Sequence, residues 1–403
     1  MSVIPQAPSR KADKKALSFD NTEISFRGKS NTDINRAYWL FKMISSNFLT
    51  KIGPPITLLA FKLKLPVTGL IKATIFKHFC GGETIEECEQ TVEALHRGKV
   101  HSILDYSVEG AKEDNVFDQT CQEIIKTIKH ADGDSRIPLS VFKVTGIGRF
   151  ALLEKVDAGQ PLTEQENAEF SKFKSRFEKI CQAAFDTRIP VMVDAEETWI
   201  QNTVDELTLE MMRKYNRESL IVYNTYQLYR NDKLASLKAD AALAKTEGFI
   251  LGAKMVRGAY MEKERQRALE LGYPSPINAS KEDTDRDYND AVAFCAENID
   301  HIGFVAGTHN EQSCQFLVDI LEEKGIEQDN PSVYFSQLLG MSDNLSFNLA
   351  DAGYNVAKYV PYGPVKAVLP YLFRRAEENT SISGMMGREL NLIVAERKRR
   401  KLH

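Results

Sequence analysis

Eight short apolar runs, separated by longer amphipathic stretches, limit what this chain can fold into more than any other feature. They are HSILDY (101–106), PLSVFKVT (138–145), IPVMVD (189–194), SLIVYNT (219–225), LGAKMVR (251–257), HIGFVAGTH (301–309), SVYFSQ (332–337) and NVAKYVP (355–361). Runs of this length, rich in Val, Ile and aromatic residues, read as strands buried on both faces, as in a parallel sheet. The stretches between them, such as NTVDELTLEMMRKYN and QSCQFLVDILEEKG, carry an apolar stripe at helical spacing. Strand and helix therefore alternate, and eight such units close a parallel sheet on itself into a (β/α)8 barrel. An open, doubly wound sheet would carry Gly-x-Gly-x-x-Gly in its first strand-to-helix turn. The nearest approach here is Gly146 and Gly148 with no third glycine in register. No Walker motif, HExxH or GxSxG occurs either.

The barrel accounts for residues 100–395. Residues 1–99 divide into a polar leader and a helical arm over about 33–98. In TIEECEQTVEALHRG, Ile85, Cys88, Val92 and Leu95 fall at helical spacing, Thr84 stands three residues before Glu87 as a cap, and Gly98 ends the helix. Residues 396–403 read as a basic C-terminal tail. The leader lacks the apolar centre of a secretory signal and carries Asp13, Asp20 and Glu23, unlike an acid-poor transit peptide. The most apolar stretch, PPITLLAFKLKLPVTGLI (54–71), is broken by Lys62, Lys64 and Pro66 and falls short of a membrane span. It is expected to lie on a membrane surface or to pack on the barrel. With 52 Lys and Arg against 56 Asp and Glu, the net charge of −4 gathers no polyanion, so no nucleic-acid partner is expected. Six scattered cysteines without a CxxC pair fit free thiols in a reducing compartment.

In a barrel of this kind the chemistry sits at the carboxyl ends of the strands. Polar residues collect there: Lys143 in the second run, Asp194-Ala195-Glu196-Glu197 after the third, Arg257-Gly258-Ala259-Tyr260 after the fifth, Thr308-His309-Asn310 after the sixth and Tyr359 in the eighth. An ammonium in an apolar strand needs an anion. Lys143 either does no more than pair with Asp194 on the neighbouring strand, or serves a bound anion. In VKAVLPYLFRRAEEN, Tyr371, Arg374, Arg375 and Glu378 form one polar stripe, and Val368, Leu369, Leu372 and Ala376 an apolar one beside it. Two guanidiniums beside a tyrosine make a fork for a carboxylate; a solvated face with an Arg374 to Glu378 pair is the plainer alternative. His309 has no HxH or HxxxH companion, so no metal is expected.

Taken together, LDYSVEG (104–110), FKVTGI (142–147), VDAEE (193–197), KMVRGAY (254–260), GTHN (307–310), QLLGM (337–341) and YLFRRAEEN (371–379) resemble the proline dehydrogenase family in sequence and order, from about residue 100 to 390. The resemblance implies a distorted (β/α)8 TIM-like barrel with an N-terminal helical arm and FAD over the strand ends. It implies that Lys143, Arg374 and Arg375 bind the carboxylate of L-proline with Glu378 in the same ion-pair network. Tyr260, Tyr359 and Tyr371 would wall the ring, and Asp194 would steady Lys143. Asn224, Lys254, Arg257, Gly258, Tyr260, Thr308 and His309, with Lys281 at the margin, would touch the flavin, its phosphates or its adenosine. Lys254 and Asn224 resemble the stand-alone, mitochondrial-type branch, where the bifunctional branch has arginine and glutamine. Tyr359 stands where hydroxyproline-preferring relatives have serine. The product implied is 1-pyrroline-5-carboxylate, with electrons passing to a quinone. With no aldehyde-dehydrogenase segment after residue 403, one activity is expected of the chain. The expected place is the bacterial cytoplasm, peripherally on the inner membrane, or alternatively the matrix side of the mitochondrial inner membrane. Rival readings are a hydroxyproline dehydrogenase, a metal-dependent barrel hydrolase and a non-catalytic barrel.

Overall fold

The computed structural model describes residues 17–44, 65–107, 113–381 and 385–402, with positions 55, 57, 62 and 63 besides. The leader up to residue 16 and much of 54–71 lie outside the described residues. All eight apolar runs contain strands: β1 (His101–Tyr106), β2 (Ser140–Lys143), β3 (Val191–Asp194), β4 (Val222–Gln227), β5 (Leu251–Val256), β6 (Ile302–Gly307), β7 (Val333–Leu338) and β8 (Val356–Tyr362). Every ladder is parallel, and the hydrogen-bonded order is β1-β8-β7-β6-β5-β4-β3-β2. The two ends of that order approach each other where the Ser102 N–H donates to the Arg136 carbonyl just before β2 (2.8 Å). The distortion of the barrel lies on this side, for β3 meets β4 through only two residue pairs, Val191 with Val222 and Met192 with Tyr223.

Around the strands run α1 (Asn31–Ile44), α2 (Ile85–Arg97), α3 (Asp114–Ala131), α4 (Phe150–Asp157), α5 (Glu164–Thr187), α6 (Thr198–Tyr215), α7 (Lys233–Glu247), α8 (Met261–Leu271), α9 (Lys281–Glu297), α10 (Glu311–Glu323), α11 (Asp343–Asp351), α12 (Leu369–Ser381) and α13 (Met385–Arg399). The Thr84 side chain caps α2 by accepting from the Glu87 N–H (3.3 Å), and Ile85, Cys88, Val92 and Leu95 form its buried stripe.

Strand alternation sorts the core into two shells. Val191, Val193, Phe304, Phe335 and Val360 face outward and pack on Ile180, Val204 and Leu317 of the helices. Ile103, Leu139, Val141, Met192, Tyr223, Val305, Ala357 and Tyr359 fill the barrel interior. A third cluster joins distant ends of the chain: Phe26, Phe41, Phe76 and Phe79 from the N-terminal arm pack on Leu369 and Leu372 of α12 and on Leu392 and Ile393 of α13. Each such side chain contributes about 1.5–3 kcal/mol when fully buried, so the arm is part of the fold. It is also not one helix, since Gly81 N–H donates to the Pro361 carbonyl (2.9 Å) and extends β8 between the arm's helices. The expected tail from 396 is corrected as well. It begins inside α13, where fully buried Glu396 accepts from Arg399 (2.8 Å) and Arg400 (2.6 Å), and Arg400 donates to the Phe26 carbonyl (2.7 Å).

Candidate active site

At the carboxyl ends of the strands the inward-facing positions turn from apolar to charged. Two residues after Ile103 comes Asp105, after Val141 Lys143, after Met192 Asp194 and after Gly252 Lys254. Lys143 Nζ donates to Asp105 Oδ2 (3.0 Å) and to Asp194 Oδ2 (3.1 Å). Lys254 is paired with the other oxygen of Asp194 and donates to the Tyr359 hydroxyl (2.7 Å). Asp194, with its side chain 14% exposed, is therefore shared between two ammonium groups. Burial pushes its pKa up, but the charges of Lys254 and Lys143 outweigh that and hold the carboxyl below its ordinary value. Burial, with Asp194 and Asp105 nearby, drives the Tyr359 phenol well above its ordinary value. The expected pairing of Lys143 with Asp194 is present.

A second group stands at the ends of β5 and β6. Arg257 donates from Nε to Asp285 (2.7 Å), from Nη1 to the Thr308 hydroxyl (2.7 Å) and from Nη2 to the Ser313 hydroxyl (2.9 Å), with its guanidinium 4.4 Å from the Tyr288 ring centroid. Gly258 follows at φ +132°, and a Cβ there would lie 2.5 Å from the Tyr229 ring. The backbone turn and the close approach each demand glycine. Tyr260, partly exposed, leads into α8. His309 Nδ1 lies 2.9 Å from the Ser342 hydroxyl. Burial pushes its pKa down to about 3, with Lys358, Arg375 and Arg257 adding to the effect, so the imidazole is neutral.

The third group is on α12. Tyr371 and Arg375 are buried, with the guanidinium 5.3 Å from the Tyr371 ring centroid, and Arg374 is half-buried. The electrostatic influence of Arg375 on His309 ties this helix to the end of β6. The side chain of Glu378 lies outside the described residues.

Two positions stand away from the mouth. Asn224 faces the helical shell, where its amide donates to Asp205 of α6 (3.0 Å), a carboxylate that also holds Lys233 of α7. The inward positions of β4 are Tyr223, Thr225 and Gln227, and Gln227 donates to the Glu196 carbonyl (2.8 Å). Lys281, at the start of α9, pairs with Asp285 while its side chain stays 65% exposed. Among the described residues no three His, Cys, Asp or Glu side chains gather in a metal-holding group.

The sequence profile of proline dehydrogenases matches residues 88–388, a span that takes in all eight strands and both arginines of α12. The chain belongs to the proline dehydrogenase family. Proline dehydrogenase 1, mitochondrial, of Dictyostelium discoideum is 33% identical over 439 residues, covering 98% of this chain and 77% of its own length. The human protein of the same name is 41% identical over 270 residues, 66% of this chain and 45% of its own. The carbapenem antibiotics biosynthesis protein CarD of Pectobacterium carotovorum subsp. carotovorum is 35% identical over 322 residues, 80% of this chain and 83% of its own. Among solved structures, proline utilization A (PutA) from Bdellovibrio bacteriovorus, inactivated by N-propargylglycine, aligns with a TM-score of 0.70 at 18% identity over 95% of this chain and 42% of its own. At that identity the likeness speaks for the barrel alone.

Within this proline dehydrogenase barrel, sequence reasoning misses Asp105 and Gln227 as members of the mouth, and it places Glu196 there without giving it a role. Asp105 is buried at 2% exposure and holds Ser107 (2.6 Å) as well as Lys143. Glu196 accepts from the Thr145 N–H (2.9 Å) and hydroxyl (2.6 Å), and burial pushes its pKa up to about 7. For Asp105 a signal exists, since it shares strand parity with Ile103.

Proposed function

We propose that this chain oxidises L-proline to 1-pyrroline-5-carboxylate with FAD as its resident cofactor and a quinone as the electron acceptor. Family membership carries the coarser statement, an oxidoreductase acting on proline. The finer reading is supported by one arrangement: a strand-borne set of Lys143, Asp194, Lys254 and Tyr359, faced by α12 with its buried Arg375.

The donor set fits the cofactor. Lys254, Arg257, Gln227 and the Thr308 hydroxyl present charged and neutral donors along the ends of β4, β5 and β6, suited to a ring with carbonyl acceptors and to a diphosphate. Lys254, Arg257, Gly258, Tyr260, Thr308 and neutral His309 are the residues assigned to hold it, with Lys281 at the solvent margin. Asn224 acts from behind the strand, through Asp205. Bound FAD would supply the hydride acceptor, its N5.

The protein's own part is alignment. Arg374 and Arg375 take the substrate carboxylate as a two-armed fork, and Lys143 faces it from the barrel with its charge tempered by Asp105 and Asp194. Fixing the carboxylate fixes which ring carbon faces the cofactor, and that orientation accounts for much of the rate. Tyr260, Tyr359 and Tyr371 wall the ring and exclude water. The Tyr359 phenol, held by Lys254, leaves less room than a serine would, which favours proline over its 4-hydroxy analogue. The eukaryotic relatives carry the word mitochondrial in their names, which supports a mitochondrial place over the bacterial alternative.

The purified chain is expected to be yellow, and L-proline to bleach its flavin absorbance anaerobically, with 4-hydroxyproline doing so more slowly. A colourless protein, or flavin that L-proline leaves oxidised, overturns the reading.

A further inference from the structure

We propose, resting on the redox reading above, that Thr225 is a positioning residue that holds the ion pair of Asp194 and Lys254 in place. β4 changes partners along its length. It is laddered to β3 at Val222 and Tyr223, and to β5 from Asn224 to Gln227. β3 therefore reaches the mouth laddered to β2, where Asp194 lies opposite Lys143, but no longer to β4.

The lapse has a local cause. A continued parallel ladder would bring the Thr225 N–H to the Val193 carbonyl. The Asn224 side chain intervenes: its Oδ1 accepts from the Thr225 N–H (2.9 Å), while its Nδ2 donates to Asp205 (3.0 Å). Asp205 in turn accepts from Gln201 (2.8 Å) and pairs with Lys233, so Asn224 is held in that pose from the helical shell. A buried carbonyl without a donor is costly. The Thr225 hydroxyl supplies the donor for Val193 (2.7 Å), and farther along β4 the Gln227 amide does the same for the Glu196 carbonyl (2.8 Å).

A threonine that satisfies a carbonyl would by itself be ordinary packing. The register makes this one different. Thr225 lies opposite Lys254 on β5, and the carbonyl it holds belongs to the residue before Asp194. Lys254 and Asp194 stand on either side of β4, so their ion pair spans that strand at the level of Thr225, an inward position 3% exposed. Turning the peptide between Val193 and Asp194 would draw the carboxylate away from Lys254 and leave that ammonium with the Tyr359 hydroxyl (2.7 Å). Lys143 is buffered against the same turn because Asp105 also holds it (3.0 Å). Loss of the Thr225 hydroxyl therefore falls on the cation assigned to the flavin more than on the one assigned to the substrate carboxylate.

Thr225→Val keeps the shape of the side chain without its hydroxyl, Thr225→Ala removes both, and Thr225→Ser keeps the hydroxyl. In the purified, flavin-loaded protein the Val and Ala forms are expected to lose about tenfold in kcat with L-proline, while KM changes by less than about twofold. Their flavin midpoint potential should fall, because a displaced ammonium stabilises the more negative reduced flavin less. The Ser form should recover the potential and come within about twofold of the wild-type kcat. Val and Ala forms with wild-type kcat and potential overturn the proposal. So does a Ser form as impaired as they are, since the methyl group would then matter and not the hydroxyl. Thermal unfolding of the same proteins separates a packing role: a kcat that falls in step with stability at an unchanged potential, or a KM that rises as much as kcat falls, also overturns it. Wild-type flavin that L-proline leaves oxidised sinks both readings, whereas a wild type that bleaches beside unaffected variants sinks this one alone.

Discussion

Lys254 stands on a strand laddered on both sides and Lys143 on one laddered to β3, whereas Arg374 and Arg375 stand on a helix held by apolar packing to the arm and to α13. The strand-borne cations are already engaged, Lys143 by two carboxylates and Lys254 by Asp194 and Tyr359. Strand-borne charge of this kind is preorganised and costs little to position when a ligand arrives. A helix docked through Leu369 and Leu372 has no such ladder, so of the two regions it is the one expected to adjust to substrate.

The largest effect is expected where the strand-borne set is broken. Asp194→Asn removes the anion that the largely buried Lys143 and Lys254 ammonium groups share, and should lower folding stability by about 3–5 kcal/mol. Denaturant unfolding measures this, and a loss under about 1 kcal/mol would mean that the cluster is solvated and not preorganised. On the helix side, Arg375→Met keeps an apolar stem of similar length and removes the guanidinium beside the Tyr371 ring. It should cost about 2–5 kcal/mol in kcat/KM for L-proline with a much smaller change in stability. Unchanged turnover would remove the carboxylate from α12.

The same contrast explains which parts of the site were legible in the sequence. Lys143 and Asp194 close two apolar runs, and an ion in that position needs a partner, so their pairing follows from composition and strand order. Arg374, Arg375 and Tyr371 share one helical stripe, legible from spacing alone, and Tyr371 and Arg375 are both buried. Asn224, which the resemblance alone put against the flavin, faces the helical shell, and VYNTYQ could not show this because it carries polar and aromatic residues on both faces. Asp105 hid in the same way within HSILDY. The docking of the arm and of α13 on one core was not legible at all, since its contacts join segments more than 300 residues apart, as between Phe26 and Arg400.

A pH dependence separates the two regions again. Glu389 of α13 is buried and accepts from the Ser342 N–H. Burial, with Asp343 beside it, pushes its pKa up to about 7, against the opposing influence of Ser342 and Lys358. A folded-state pKa above the unfolded value means that this carboxyl's contribution is fully present below about pH 4.5 and is lost as pH rises through about 7, a change on the order of 3 kcal/mol. Amide exchange along α13, corrected for intrinsic rates, should therefore show easier opening as pH rises through that window. Glu389→Gln should flatten the trend, and an unaltered slope in that variant would assign it to another group. Asp194 carries a lowered pKa, so its contribution has the opposite sign, present above its unfolded value and lost only as pH falls through the folded one.

The smallest effect marks where the site ends. Lys281 is a helix-borne cation like the two arginines, yet it is largely in solvent and pairs with Asp285 one turn along α9. An exposed pair at that spacing contributes about 0.3–0.5 kcal/mol. Asp285 keeps Arg257 as a partner when the lysine is gone. Lys281→Ala should therefore change stability by no more than about 0.5 kcal/mol and flavin retention by about twofold at most. A tenfold loss of flavin on dialysis would show that this ammonium meets the cofactor directly, and the boundary between preorganised strand ends and adjustable helices would then have to be redrawn to include α9.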